Sequence, residues 1–227
     1  MDYVAFVGTE GKMPATAVAE MNRDFPAYQA EMQARGVKSF GRELDFPPTA
    51  VTVRVRDGET LISDGPFAET KEFIGGFDLL DCADLDEAIE VEGKSPVARF
   101  LPFEIRPFRG RLRRGSASGP LYLLTVWANE SPVFDERYDA WQRELEDRGA
   151  FVFGNALGGP ETAMTLRTRE GAVELTDGPF LDLDDFIAGL DVIACSDRQQ
   201  AIAWALTHPL AQRHAIEVRP FHPEGPA

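Results

Sequence analysis

The chain is one pattern written twice, and that constrains its fold more than any other feature. Asp64-Gly65-Pro66-Phe67 returns as Asp177-Gly178-Pro179-Phe180, 113 residues later. The same offset carries Arg35-Gly36 onto Arg148-Gly149, Phe40-Gly41 onto Phe153-Gly154, Cys82 onto Cys195, Pro96 onto Pro209 and Glu104-Ile-Arg-Pro-Phe108 onto Glu217-Val-Arg-Pro-Phe221. Laying 20–108 on 133–221 without a gap leaves 33 of 89 positions identical. A period this long is that of a duplicated domain, since solenoid and propeller units repeat every 20–50 residues or so. The 227 residues are therefore expected to form two domains, 1–108 and 120–222, joined by a link at 109–119 and followed by a tail, 223–227.

Charge narrows the partners. The net charge of −15 divides into −9 for 1–108, +4 for 109–119 and −10 for 120–227. Two acidic domains repel a phosphate backbone, so nucleic acid is not expected as a partner. The link, with four arginines among glycines and serines, reads as a basic, solvated connector. No signal-peptide pattern follows Met1 and no apolar run approaches 18 residues, so the expectation is a soluble cytoplasmic protein that does not enter a membrane. Cys82 and Cys195 each close an apolar run and read as small buried residues at strand ends.

Within one copy the pattern alternates between periods. Tyr3-Val-Ala-Phe-Val7 is a β-forming run ending at Gly8, and its partner Tyr122-Leu-Leu-Thr-Val-Trp127 lies at an offset of 119. The loop that follows, Thr9 to Thr16, is thus six residues longer in the first copy. Phe25, Tyr28 and Met32, and then Tyr138, Trp141 and Leu145, fall at helical spacing, and Gly36 and Gly149 are left-handed C-terminal caps. Val37–Leu44, Thr49–Arg56 and Thr60–Ser63 read as strands, with Arg56-Asp-Gly-Glu59 as a hairpin turn. A strand from Gly76 to Cys82, a helix opening at Asp84 and a strand from Phe103 to Phe108 complete the unit. The order β-α-β-β-β-β-α-β suits an α+β, ferredoxin-like plan with helices on one face of an antiparallel sheet. The open sheet faces would be covered by packing the two domains sheet to sheet, an intrachain pseudo-dimer that could oligomerise further.

Residues 64–92, led by Val53-Arg-Val-Arg-Asp-Gly-Glu59 and closed by Glu104-Ile-Arg-Pro107, resemble the signature of the DGPF branch of the YCII-related family. The resemblance covers 1–108 well and 120–222 as a diverged second copy. It implies a dimeric α+β barrel of ferredoxin-like units. It also implies two functional directions: lyase-like chemistry with a His–Asp pair near a cleft, and association with extracytoplasmic-function sigma factors. Residues 1–108 contain no histidine, so a His–Asp pair does not carry over to the first copy.

The candidate residues follow from comparing the copies. Asp64-Gly-Pro-Phe67 has a sufficient turn-forming rationale, with the Asp carboxylate bonding backbone two residues on, Gly supplying unusual dihedrals and Pro fixing the exit. Its flank changes: Glu69-Thr70-Lys71-Glu72 becomes Asp182-Leu183-Asp184-Asp185, losing a lysine and a hydroxyl. Asp64, Thr70, Lys71 and Arg106 are the ligand-binding candidates for an anionic or carbonyl-bearing small molecule. In the rival reading, a lyase or isomerase, Asp64 or Glu72 is the general base and Lys71 stabilises developing charge. A third reading is an interaction module for a sigma factor, using the basic link. Arg106 and Arg219 read as same-face ion-pair partners of Glu104 and Glu217. His208 and His214 suit surface or capping roles near a helix end. No metal or cofactor is expected, since no phosphate-cradling loop, nucleophile elbow or paired cysteine ligands occur.

Overall fold

The computed structural model describes residues 1–68, 70–181 and 183–223. The first repeat comprises β1 (Asp2–Thr9), α1 (Ala15–Arg35), β2 (Lys38–Glu43), β3 (Val51–Arg56), β4 (Glu59–Asp64), β5 (Phe73–Asp81), α2 (Leu85–Gly93) and β6 (Phe103–Pro107). The link contributes the two-residue β7 (Arg113–Arg114). The second repeat comprises β8 (Leu121–Ala128), α3 (Glu136–Asp147), β9 (Phe151–Ala156), β10 (Met164–Arg169), β11 (Ala172–Asp177), β12 (Phe186–Ala194), α4 (Arg198–Thr207) and β13 (Ala215–Pro220). The chain is thus α+β, with two antiparallel sheets and, among the described residues, four α-helices.

The local signals act as their chemistry dictates. Asp84, Asp135 and Asp197 cap α2, α3 and α4, each carboxylate accepting a first-turn amide. Gly36 ends α1 with φ of 69°, where a side chain would be strained. Asp57-Gly58 and Glu170-Gly171 turn the two hairpins with both φ values positive, matching the right-handed twist of the flanking strands.

Repeat and compact unit are different objects. The first unit is Met1–Glu43, Thr70–Phe108 and Gly158–Asp182; the second is Leu44–Glu69, Arg109–Leu157 and Leu183–Ala227. In the first unit the sheet order is β11-β10-β6-β1-β5-β2, so a hairpin of the second repeat completes a sheet of the first. There β10 pairs with β6, Thr165 opposite Glu104. In the second unit the order is β4-β3-β13-β8-β12-β9-β7, and β3 pairs with β13, Thr52 opposite Glu217. Each repeat donates its β3–β4 or β10–β11 hairpin, and each receives the other's.

Each unit has its own apolar centre. In the first, Tyr3 and Ala5 of β1 meet Tyr28 and Met32 of α1, Ala88 and Val91 of α2, and Leu166 of β10. In the second, Leu124 and Val126 meet Tyr138, Trp141 and Leu145 of α3, Ala201 and Ala205 of α4, and Val51 and Val53 of β3. The visiting hairpins thus supply core residues, and burial of those side chains, each worth about 1.5–3 kcal/mol, holds the exchange. The link is more ordered than a solvated connector. Asn155 donates to the carbonyls of Arg109 and Arg111, and Arg113 forms a two-pronged ion pair with Glu146 at 2.7 and 2.6 Å. β7 consequently lies along β9 as a sheet edge.

Candidate functional site

The two shared motifs form a single assembly in each unit. Gly65, with φ of 100°, donates its amide to the Ala50 carbonyl at 2.9 Å, and its own carbonyl accepts the Thr52 hydroxyl at 3.1 Å. Phe67 then donates its amide to Glu217 Oε2 at 3.0 Å. Glu217 is held in turn by Arg219 Nε at 2.9 Å, and both side chains are buried. The other unit repeats this arrangement. Gly178 bonds Ala163 at 2.9 Å, Thr165 bonds the Gly178 carbonyl at 2.8 Å, Phe180 donates to Glu104 Oε2 at 3.3 Å, and Glu104 pairs with Arg106. Because the hairpins are exchanged, the Asp-Gly-Pro-Phe turn of each repeat rests on the Glu-x-Arg strand of the other. This accounts for their joint retention, since a buried glutamate needs both its arginine and its amide donor.

The candidate residues are distributed accordingly. Asp64 lies in the second unit, 88% exposed, and pairs with Arg198 at 2.8 Å instead of bonding its own turn. Lys71 lies in the first unit, 81% exposed, paired with Glu10 at 2.7 Å. Thr70 donates its hydroxyl to the Glu72 carbonyl. Arg106 is buried on Glu104. Glu69 and Asp182 fall outside the described residues. Glu72 lines a cleft.

That cleft, about 740 Å³, belongs wholly to the first unit. One wall is the end of β1 and the long loop after it, Gly8 to Pro14, leading into Thr16, Ala17 and Glu20 of α1. Phe100, Leu101 and Pro102 form a second wall, and Glu72 and Arg167 complete the rim. Thr9 folds the loop back on itself, its hydroxyl bonding the Gly11 carbonyl at 2.9 Å, and Gly11 takes φ of 139°. Alone of the four helices, α1 opens with no side-chain cap and no acidic residue in its first turn, leaving amides at the cleft wall. The Arg167 side chain is half-buried and, among the described residues, forms no hydrogen bond, ion pair or ring contact.

Gly8 leaves no room for a side chain of its own. A Cβ there would stand 2.7 Å from the Phe180 ring and 2.9 Å from Pro102. Its counterpart in the second unit is Trp127, whose ring stacks on Phe67 with centroids 5.0 Å apart, while Arg54, counterpart of Arg167, sits 5.3 Å over the same Phe67 ring. An indole thus stands where the first unit has Gly8, and the equivalent cation is spent on an aromatic face. The signal was visible in the sequence as the six-residue loop insertion and the Gly8/Trp127 difference.

The second unit keeps instead a buried polar cluster. Asp191 Oδ1 accepts from Tyr138 at 2.8 Å and from Gln142 at 2.9 Å. His208 is fully buried; its Nδ1 accepts the Leu210 amide at 3.1 Å, which puts the ring proton on Nε2, 3.6 Å from Asp191 Oδ2. The capping role expected of His208 is thus present, but in the interior and not at the surface. Burial beside Asp191 raises the Tyr138 hydroxyl well above its ordinary pKa. Burial likewise pushes Cys82 and Cys195 up to about 12, leaving both as unreactive thiols at neutral pH. Among the described residues no group of three His, Cys, Asp or Glu side chains converges as metal ligands do, and no helix is long and apolar enough to cross a membrane.

The YCII-related domain matches this chain twice, over residues 1–109 and 131–224. The chain belongs to the YCII-related family. Its two YCII domains account for the duplication read from the sequence. An uncharacterized protein of Rhizobium meliloti (strain 1021) is 47% identical over 70 residues, a stretch covering 30% of this chain and 55% of that relative. The match therefore spans just over half of the relative's length.

Proposed function

We propose that this tandem YCII protein binds a small molecule in the cleft of its first unit, and that the second unit is a closed counterpart. The observation that carries the reading is the open cleft beside the long loop after β1, a loop six residues longer than its counterpart in the second repeat. A volume near 740 Å³ falls within the range of about 300–1,000 Å³ typical of ligand sites. The lining combines apolar contact from Met13, Phe100, Leu101 and Pro102 with charged and hydroxyl side chains that could fix a ligand's orientation. We take each unit to follow the ferredoxin-like plan, a reading supported by antiparallel strands with two helices per unit. In an acid–base variant of this proposal Glu72 is the base, since it lines the cleft and Asp64 does not.

The test is a fragment screen by NMR on the full chain with assigned backbone amides. Hits should perturb residues 8–17 and 100–102 together, and Arg167→Met should abolish anionic hits while leaving the melting temperature within a degree or two. If bound fragments perturb other surfaces and never these segments, the cleft is not the site.

A further inference from the structure

Resting on that cleft reading, we infer that its ligand is a small zwitterion, an α-amino acid or a close relative carrying a carboxylate, an ammonium and an apolar side chain. The charges of the lining lead there. Glu10 is neutralised by Lys71 at 2.7 Å, and Lys12 also has a partner. Arg167 and Glu72 remain, both half-buried, neither with a side-chain hydrogen bond among the described residues, and Glu20 adds a second carboxylate to the lining.

A plain carboxylic acid would satisfy Arg167 but bring its charge toward Glu20 and Glu72, on a protein of net charge −15. A plain amine would satisfy the carboxylates and face Arg167. Either single-charge ligand desolvates one cleft group without pairing it, which costs affinity. A zwitterion pairs both: its carboxylate takes the planar guanidinium in two parallel bonds and its ammonium takes Glu72. The remaining lining, Met13, Phe100, Leu101 and Pro102, suits an aliphatic or aromatic side chain, and the volume holds such a molecule with its hydration. Arg167 comes from the second repeat and Glu72 from the first, so both copies contribute to the site.

Calorimetric titration of the full chain with the twenty common L-amino acids, followed by matched single-charge analogues of the best binder, tests this. Were that binder phenylalanine, the analogues would be 3-phenylpropionate and 2-phenylethylamine. The zwitterion should bind at least tenfold tighter than either analogue. Arg167→Met should erase its advantage over the amine, and Glu72→Gln its advantage over the acid, each with an unchanged melting temperature. An analogue that binds as tightly as the amino acid overturns the inference, as does a preference that survives both variants. Failure of all twenty amino acids also overturns it, and the fragment screen then separates the outcomes: hits at residues 8–17 leave the cleft standing with another ligand class, and none there removes the cleft as well.

Discussion

Replacing Glu217 with leucine should be among the most damaging single changes outside the apolar centres. In the structure Glu217 accepts from Arg219 on the same strand and from the Phe67 amide of the visiting turn, with both charged side chains about 95% or more buried. Leucine leaves Arg219 without this carboxylate in a dry site, which costs about 3–5 kcal/mol. The Phe67 amide, partly buried, loses its acceptor for about 1 kcal/mol more. At about 2–4 °C per kcal/mol for a chain of this size, the melting temperature should fall by roughly 8–24 °C. The double variant Glu217→Leu/Arg219→Met removes both charges and should recover most of the loss, keeping only the orphaned amide. Thermal and denaturant unfolding of the four species closes a double-mutant cycle. Hydrogen exchange at the Phe67 amide supplies an independent readout, since its protection should drop in both variants carrying the leucine. A single variant costing under 1 kcal/mol, or a double variant whose cost is the sum of its parts, would refute the claim that this pair anchors the turn.

Other consequences are as direct. Gly154→Ala places a Cβ 2.0 Å from Asp191 Oδ1, so it should displace the Asp191 cluster and destabilise by about 1–3 kcal/mol, measured by denaturant midpoint and near-ultraviolet dichroism at Tyr138 and Trp141. Burial lowers the His214 pKa below its ordinary 6.5, so the unfolded chain takes up its proton first. The resulting stability is complete above about pH 6.5 and is lost as pH falls through that value toward the folded pKa. His214→Gln should remove this component of the pH slope, and an unaltered slope would exclude His214 as its source. Ile62 lies 53% exposed on the edge strand β4, and Ile62→Lys should leave stability within about 0.5 kcal/mol while raising the concentration at which light scattering begins.

Much of this architecture was legible from residue patterns, and what was not had a common cause. Asp84, Gly36 and the Asp57-Gly58 turn act through atoms within four residues, so local chemistry suffices to place them. The destination of the β3–β4 hairpin is another matter. Thr52 can stand opposite Glu104 or its twin Glu217 with the same side-chain pattern, and nothing local distinguishes the two registers. The fate of Asp64 depended on Arg198, 134 positions away, and that of Lys71 on Glu10. Arg106 looked like a cleft residue because its charge was visible and its burial was not. The Gly8/Trp127 contrast lay in plain view, but its meaning needed the Phe180 and Phe67 rings that only the fold brings to those positions.

The hairpin exchange has a bearing on how such a chain can change. A gene trimmed back to one repeat would encode a sheet whose last strand seeks a hairpin and a hairpin that seeks a last strand, and two molecules would have to trade parts to satisfy both. Fusion of the copies makes that trade intramolecular and independent of dilution. It also frees the copies from identity, since a substitution at Arg167 alters only the first unit's cleft and one at Arg54 only its contact with the Phe67 ring in the second. Specialisation of one half is therefore recorded in the other half's sequence, and a search for what a YCII unit recognises has to read both repeats at once.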